Sequence, residues 1–221
     1  IGALAPRIDT EQSYVCITRP RRFGKTVNAR MLACFLSRGL SAEGLFEGLE
    51  VSRDGAAMAH LGEHDVIYID FSRLPQRCEG YGDYLSAITD GVIADLREAF
   101  PEAGIPEDER DLFAALDTAF AETGARFCFV MDEWDSMFFN ELFTEGDRRA
   151  FLMFLKQLLK GRLYVEFAYM TGILPIAKHS TGSELNMFDE YSAVDDPLLV
   201  ACLVLGHAEM RGSGSGAVNM I

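Results

Sequence analysis

Two rhythms of apolar residues alternate along this chain. Short continuous runs occupy Tyr14 to Thr18, Asp65 to Phe71, Phe127 to Met131 and Leu163 to Met170. Such runs predict strands buried on both faces, as in a parallel sheet. Between them lie stripes with helical spacing. Val27, Met31, Phe35 and Leu36 mark the buried side of a helix predicted from Lys25 to Arg38, with Gly39 as its stop. Leu85, Ile88, Val92 and Leu96 form a second stripe, terminated by Pro101. Leu112, Phe113, Leu116 and Phe120 repeat the pattern, and Phe151, Leu152, Leu155, Leu158 and Leu159 do so again before Gly161. Strand and helix alternation of this kind predicts an α/β fold, a mainly parallel sheet flanked by helices. His179 to Glu190 is polar and turn-rich, and reads as a surface loop with a short helix. The expected organisation is one domain over residues 1–205 and a small-residue tail over 206–221, whose Gly212-Ser213-Gly214-Ser215-Gly216 is linker-like.

The 221 residues suffice for one substantial domain, and the 49% hydrophobic content is ordinary for a globular protein. The longest clean apolar run, Leu198 to Leu205, is far too short for a bilayer, and the start lacks a secretory signal. Beginning at Ile1 without methionine, the chain reads as a fragment or a processed product. Five cysteines, an odd count without a CxxC pair, fit a reducing, cytoplasmic setting. His60, His64, His179 and His207 have no cysteine or carboxylate set at zinc-site spacing, so no metal other than Mg²⁺ with nucleotide is expected. Net charge is −14, from 34 acids against 20 bases, which opposes direct binding of nucleic acid.

Against that acidic background Arg19, Arg21, Arg22 and Lys25 form a basic cluster within seven residues. The segment Arg19-Pro20-Arg21-Arg22-Phe23-Gly24-Lys25-Thr26 follows the first predicted strand and opens the first helix. In that context backbone N–H groups and the helix dipole suit a phosphate, with Lys25 on the β/γ-phosphates and the Thr26 hydroxyl on Mg²⁺. The nucleotide contacts expected here are Arg21, Arg22, Phe23, Gly24, Lys25, Thr26 and Val27. The generic motif has glycine where this chain has Arg19.

A second motif closes the strand Phe127-Cys128-Phe129-Val130-Met131 with Asp132-Glu133. Ligands bind beyond the carboxyl ends of parallel strands, which places Asp132 to help hold Mg²⁺ and Glu133 to take a proton from water. Thr171, at the end of the next strand, occupies a position suited to sensing the γ-phosphate, or simply ends a strand before Gly172.

Together with Val66-Ile67-Tyr68-Ile69-Asp70-Phe71-Ser72, Val130-Met131-Asp132-Glu133-Trp134-Asp135, Tyr169-Met170-Thr171-Gly172-Ile173-Leu174-Pro175-Ile176 and Ser183-Glu184-Leu185-Asn186-Met187-Phe188, the loop resembles the bacterial AAA-ATPase-like family over roughly residues 13 to 192. In that family the loop Arg-Pro-Arg-Arg-Phe-Gly-Lys-Thr is usual, Arg19 included. The likeness implies an ASCE-type P-loop NTPase fold, Lys25 and Thr26 on nucleotide and Mg²⁺, and Walker B roles for Asp132 and Glu133. Many relatives carry a nuclease-like domain of the PD-(D/E)XK type after the ATPase, and none is visible here. Two departures are a shortened segment before the first strand and loss of the expected continuation after Tyr191. Leu198 to Leu205 then reads either as a fifth strand or as an altered end.

The function implied is a Mg²⁺-dependent, ATP-hydrolysing module that couples nucleotide state to a partner. A nucleotide-binding switch without turnover and a small-molecule kinase are the alternatives. Glu133 beside Asp132 favours water activation over the kinase, and the absence of Asn-Lys-x-Asp argues against GTP.

Overall fold

The computed structural model describes residues 1–40, 42–176 and 184–192. Five strands, β1 (Tyr14–Thr18), β2 (Asp65–Asp70), β3 (Phe127–Asp132), β4 (Val165–Gly172) and β5 (Asp189–Ser192), make one sheet in the order β2-β3-β4-β1-β5. Every pairing is parallel. The helices are α1 (Lys25–Leu36), the short α2 (Gly55–Met58), α3 (Tyr81–Ala99), α4 (Leu112–Thr123) and α5 (Glu145–Leu159).

Alternation along the strands divides the interior into two cores, one on each face of the sheet. Val15, Ile17, Val66, Cys128, Val130, Phe167 and Tyr169 pack with α1, α2 and the first residues of the chain. Cys16, Ile67, Ile69, Phe127, Phe129, Met131, Ala168 and Met170 face α3, α4 and α5. Each fully buried Leu or Phe contributes about 1.5–3 kcal/mol of transfer free energy, so both helical layers are held chiefly by apolar burial.

Local chemistry sets the helix ends. The Asp111 carboxylate accepts from Phe113 and Ala114 N–H to start α4. Thr144 and Asp147 form a reciprocal capping box at α5. Helix α1 ends at Leu36, not Arg38, because Ser37 turns extended and bridges to His64 while Arg38 N–H donates to the His64 carbonyl.

Two further differences from the sequence reading concern strands. Strand β4 starts at Val165, two residues later than expected. The segment read as loop and short helix ends in a strand: Asp189–Ser192 pairs with Val15 to Thr18 as β5, the edge strand among the described residues. An edge strand half exposed to water needs no apolar run, and this one has none. The candidate strand Leu198 to Leu205, the 1–205 boundary and the tail 206–221 lie outside the described residues.

The β3–β4 register contains one irregularity. Phe127 pairs with Val165 but Cys128 pairs with Phe167, which leaves Glu166 as an extra residue on β4. Among the described residues no helix is long and apolar enough to cross a membrane.

Candidate functional site

The carboxyl ends of β1, β3 and β4 meet at one end of the sheet, and the residues singled out in the sequence gather there. Arg19 leaves β1 buried, with its N–H on the Gly172 carbonyl at 3.0 Å, so the loop starts fastened to the end of β4. Arg22 and Gly24 both take left-handed backbone conformations, at φ 71° and 72°. Glycine adopts that shape freely, whereas for an arginine it costs about 1–2 kcal/mol. The loop therefore turns sharply into α1, whose first residue is Lys25.

Gly24 supplies no side-chain cap to α1, so the first-turn N–H donors are left to something other than a capping side chain. Lys25 is buried, and its Nζ donates to the Pro20 carbonyl at 3.3 Å across the loop. Thr26 and Val27 are half-buried, while Arg21, Arg22 and Phe23 point outward, Phe23 at 53% exposure. The seven loop residues thus divide into an inner set on the helix start and an outer set facing solvent.

Asp132 ends β3 with no exposed surface. The Thr171 hydroxyl donates to its Oδ1 at 2.5 Å, and the Tyr68 hydroxyl approaches its Oδ2 at 3.3 Å. Thr171 Oγ1 also accepts from Glu133 N–H at 3.4 Å, so this threonine ties the two adjacent acids together. Tyr68 is in turn hydrogen-bonded by Arg30 of α1, which raises the arginine's already high pKa. Burial, then the charge of Asp132, pushes the Tyr68 phenol up to about 12. The result is a polar chain from α1 through β2 to β3 and β4.

Glu133 is half-buried and left-handed at φ 51°. That conformation turns the chain by one residue, so Glu133 leaves the strand while Trp134 returns to the core with no exposed surface. Burial, followed by the Asp132 charge, raises the Glu133 carboxyl above the ordinary range, and Lys25 works against that rise. A carboxylate raised in this way suits proton acceptance better than an ordinary surface glutamate.

The Asp135 side chain turns toward the end of β4 and not toward the segment that follows it. Asp135 precedes the 3₁₀ turn Ser136–Phe139 but makes no cap hydrogen bond there. Its Oδ2 instead accepts from the N–H groups of Ile173 and Leu174, at 2.7 and 2.6 Å, and the residue is 1% exposed. The carboxylate thus fixes the chain as it leaves β4. Beside this clamp a cleft of about 530 Å³ is lined by Arg21, Ser72, Glu133, Phe139 and Ile173 among others. Its wall is partly formed by the Arg21 guanidinium lying 5.8 Å over the Phe139 ring.

Sequence reasoning missed Tyr68 and Arg30. A tyrosine in the apolar run Val66 to Ile69, two residues before the end of β2, was the available signal. It also missed a second polar cluster, at the opposite end of the sheet. The reading that leaves the histidines without a cysteine or carboxylate is corrected by the fold, which brings His64, Cys128 and Glu166 together.

No functionally curated protein matches this chain. The family model described as a predicted AAA-ATPase matches residues 3–181. That span holds the loop, all the acids of the site, Thr171 and four of the five strands, and the all-parallel α/β sheet is that of a P-loop NTPase. On this evidence the chain belongs to the AAA-ATPase-like family.

Proposed function

We propose that this protein binds ATP at the β1–α1 loop and hydrolyses it with Mg²⁺, coupling the nucleotide state to a partner. The observation carrying this reading is the convergence of the buried Lys25 and the Asp132–Thr171–Glu133 hydrogen-bonded set at one end of the sheet.

The oxygen-only donors fit Mg²⁺, a hard cation. Each Asp132 oxygen has a single hydroxyl partner and so keeps acceptor capacity for an ion or for water bound to it. Thr26 and Asp132 would hold the metal, which when bound neutralises charge on the phosphate oxygens. Lys25 would exchange the Pro20 carbonyl for the β/γ-phosphates, a stronger charge-assisted partner. The donors of the first turn of α1 would receive phosphate oxygens, with Arg21 and Arg22 adding positive charge from the rim. Glu133 would take the proton from the attacking water, and Thr171 would hold its backbone in position.

Exposed Phe23 on the loop and Phe139 at the cleft offer apolar contact for a partner near the nucleotide. Duplex DNA is not the expected partner of this chain, given a net charge of −14.

Calorimetry with ATP, with and without Mg²⁺, against Lys25→Ala tests the reading. Wild type should bind in the presence of Mg²⁺ and the variant should not. Unchanged ATP affinity in a folded Lys25→Ala protein refutes the site. Binding without phosphate release would leave a nucleotide switch instead of an ATPase.

A further inference from the structure

At the end of the sheet remote from Asp132, three side chains from three separate segments converge. His64 immediately precedes β2, Cys128 is the second residue of β3, and Glu166 is the second residue of β4. One donor atom from each lies within 4.8 Å of the other two. His64 Nδ1 is 3.0 Å from Glu166 Oε2, and Cys128 Sγ is 3.8 Å from the same oxygen. His64 and Cys128 are buried, and Glu166 is half-buried.

We propose that His64, Cys128 and Glu166 form a binding site for a thiophilic divalent transition ion, with Zn²⁺ the best fit.

Four observations support the assignment. First, the donors are one imidazole nitrogen, one sulfur and one carboxylate oxygen, a mixed set that suits Zn²⁺ and is poor for Mg²⁺ or Ca²⁺. Second, bond lengths of about 2.0–2.3 Å in a tetrahedral site put ligand atoms about 3.3–3.7 Å apart. The two distances to Glu166, 3.0 and 3.8 Å, bracket that spacing, and the His64 and Cys128 donor atoms lie within 4.8 Å of each other, so side-chain rotation alone closes the set around an ion.

Third, the backbone is shaped to assemble the set. The extra residue that breaks the β3–β4 register is Glu166 itself. Regular alternation would send Glu166 to the face opposite Phe167; the bulge brings it to the α1 side, where Cys128 also lies. Bulges are uncommon in parallel pairs, and one common use is to re-aim a side chain. His64 is fixed at both backbone groups, its N–H on the Leu36 carbonyl and its own carbonyl accepting from Arg38 N–H.

Fourth, the outer partner of a metal-binding histidine is present. With Nδ1 facing the site, His64 Nε2 meets His60 Nδ1 at 2.9 Å. Donation of the remaining ring N–H to such an acceptor orients a ligating imidazole. A thiolate and a carboxylate balance the charge of a divalent ion, leaving this buried site neutral. Three protein ligands leave one tetrahedral position for water. The site lies at the amino-terminal ends of the strands, so its role is to bind segments before β2, in β3 and in β4 together, apart from the nucleotide.

The test uses the full chain stripped with a chelator, then titrated with Zn²⁺ against a chromophoric competitor and separately with Co²⁺. We expect one ion per chain and a thiolate-to-cobalt charge-transfer band. Cys128→Ser should abolish the band, and Cys128→Ser, His64→Gln and Glu166→Gln should each weaken Zn²⁺ binding by more than about 100-fold. His60→Ala, acting through His64, should weaken it about 10–100-fold. Cys34→Ser and Cys78→Ser should leave binding unchanged. Circular dichroism checks folding, and half-buried Glu166 is the variant to use if the other two fail to fold. Failure of wild type to take up Zn²⁺, persistence of the band in Cys128→Ser, or loss of binding in Cys34→Ser or Cys78→Ser overturns the proposal.

Discussion

Gly172→Ala probes the packing that holds the acidic cluster, and its cost can be worked from the structure. A methyl group on Gly172 would collide with the Trp134 indole nitrogen, lie 2.5 Å from Trp134 Cδ1 and lie 3.0 Å from Asp135 Oδ1. Ordinary contact for such a carbon begins near 3.4 Å, so the indole must retreat by about 1 Å. Neither neighbour can retreat cheaply. Trp134 has no exposed surface, and Asp135 is tied to two backbone N–H groups. Overpacking of this kind costs about 1–3 kcal/mol, and the fixed surroundings place Gly172→Ala at the upper end. At about 2–4 °C per kcal/mol for a chain of this size, the loss near 3 kcal/mol lowers Tm by about 6–12 °C. Urea unfolding followed by fluorescence reads this directly, because the chain has a single tryptophan and it is the residue displaced. Trp134→Phe should relieve the clash, and the double-variant cycle, followed by far-UV circular dichroism, should show coupling above about 0.5 kcal/mol. A loss below about 0.5 kcal/mol, or strict additivity, refutes the packing argument.

Other expectations concern the acids. Glu133→Gln should retain ATP binding and slow single-turnover hydrolysis by about 10²–10⁴-fold, with Asp135→Asn milder; the reverse order would move the base to Asp135. Because burial and Asp132 raise the Glu133 carboxyl in the folded state, its ionised form costs stability. That cost is absent below the unfolded value near 4.3, grows as pH rises and is complete above the folded value. Glu133→Gln should therefore be more stable than wild type at pH 7, with the advantage vanishing in acid; an advantage that grows toward low pH contradicts the shift. Asp135→Ala leaves two backbone donors without their acceptor and should cost about 2–6 kcal/mol by urea unfolding, against about 1–2 for Asp135→Asn. Thr171→Val removes one hydroxyl bond to a buried carboxylate, so a loss of about 1.5–3 kcal/mol is expected, and an unchanged midpoint would show that bond to be idle.

Four strands were legible because burial on both faces demands apolar runs. Strand β5 was not legible, since Asp-Glu-Tyr-Ser at a half-exposed edge resembles a turn. Register was equally hidden. The partners of Asp135 lie 38 and 39 residues away, and whether its carboxylate caps a local turn or clamps the end of β4 depends on how closely the two strand ends approach. The same holds for Glu166, whose facing follows from a one-residue slip that no periodicity records. Arg30 and Tyr68 were missed because a side chain's link to Asp132 depends on the angle at which α1 crosses the sheet. Element order was readable, and long-range polar pairing was not.

The strand order has a consequence for how the protein is made. Strand β1 is synthesised before the other four strands, yet its sheet partners are β4 and β5, whose paired residues come some 150 to 175 positions later. At ribosomal rates of about 5–20 residues per second, β1 waits roughly 8–30 s for a neighbour. Before β4 is made, β2 and β3 can pair with each other, but β1 and the loop that leaves it have no neighbouring strand. Closing so long a separation is slow in entropic terms and leaves apolar β1 exposed meanwhile. The loop that leaves β1 is thus among the last parts of the described fold to mature, and a nascent chain stalled before Gly172 would display it without the bond that fastens Arg19 to the end of β4.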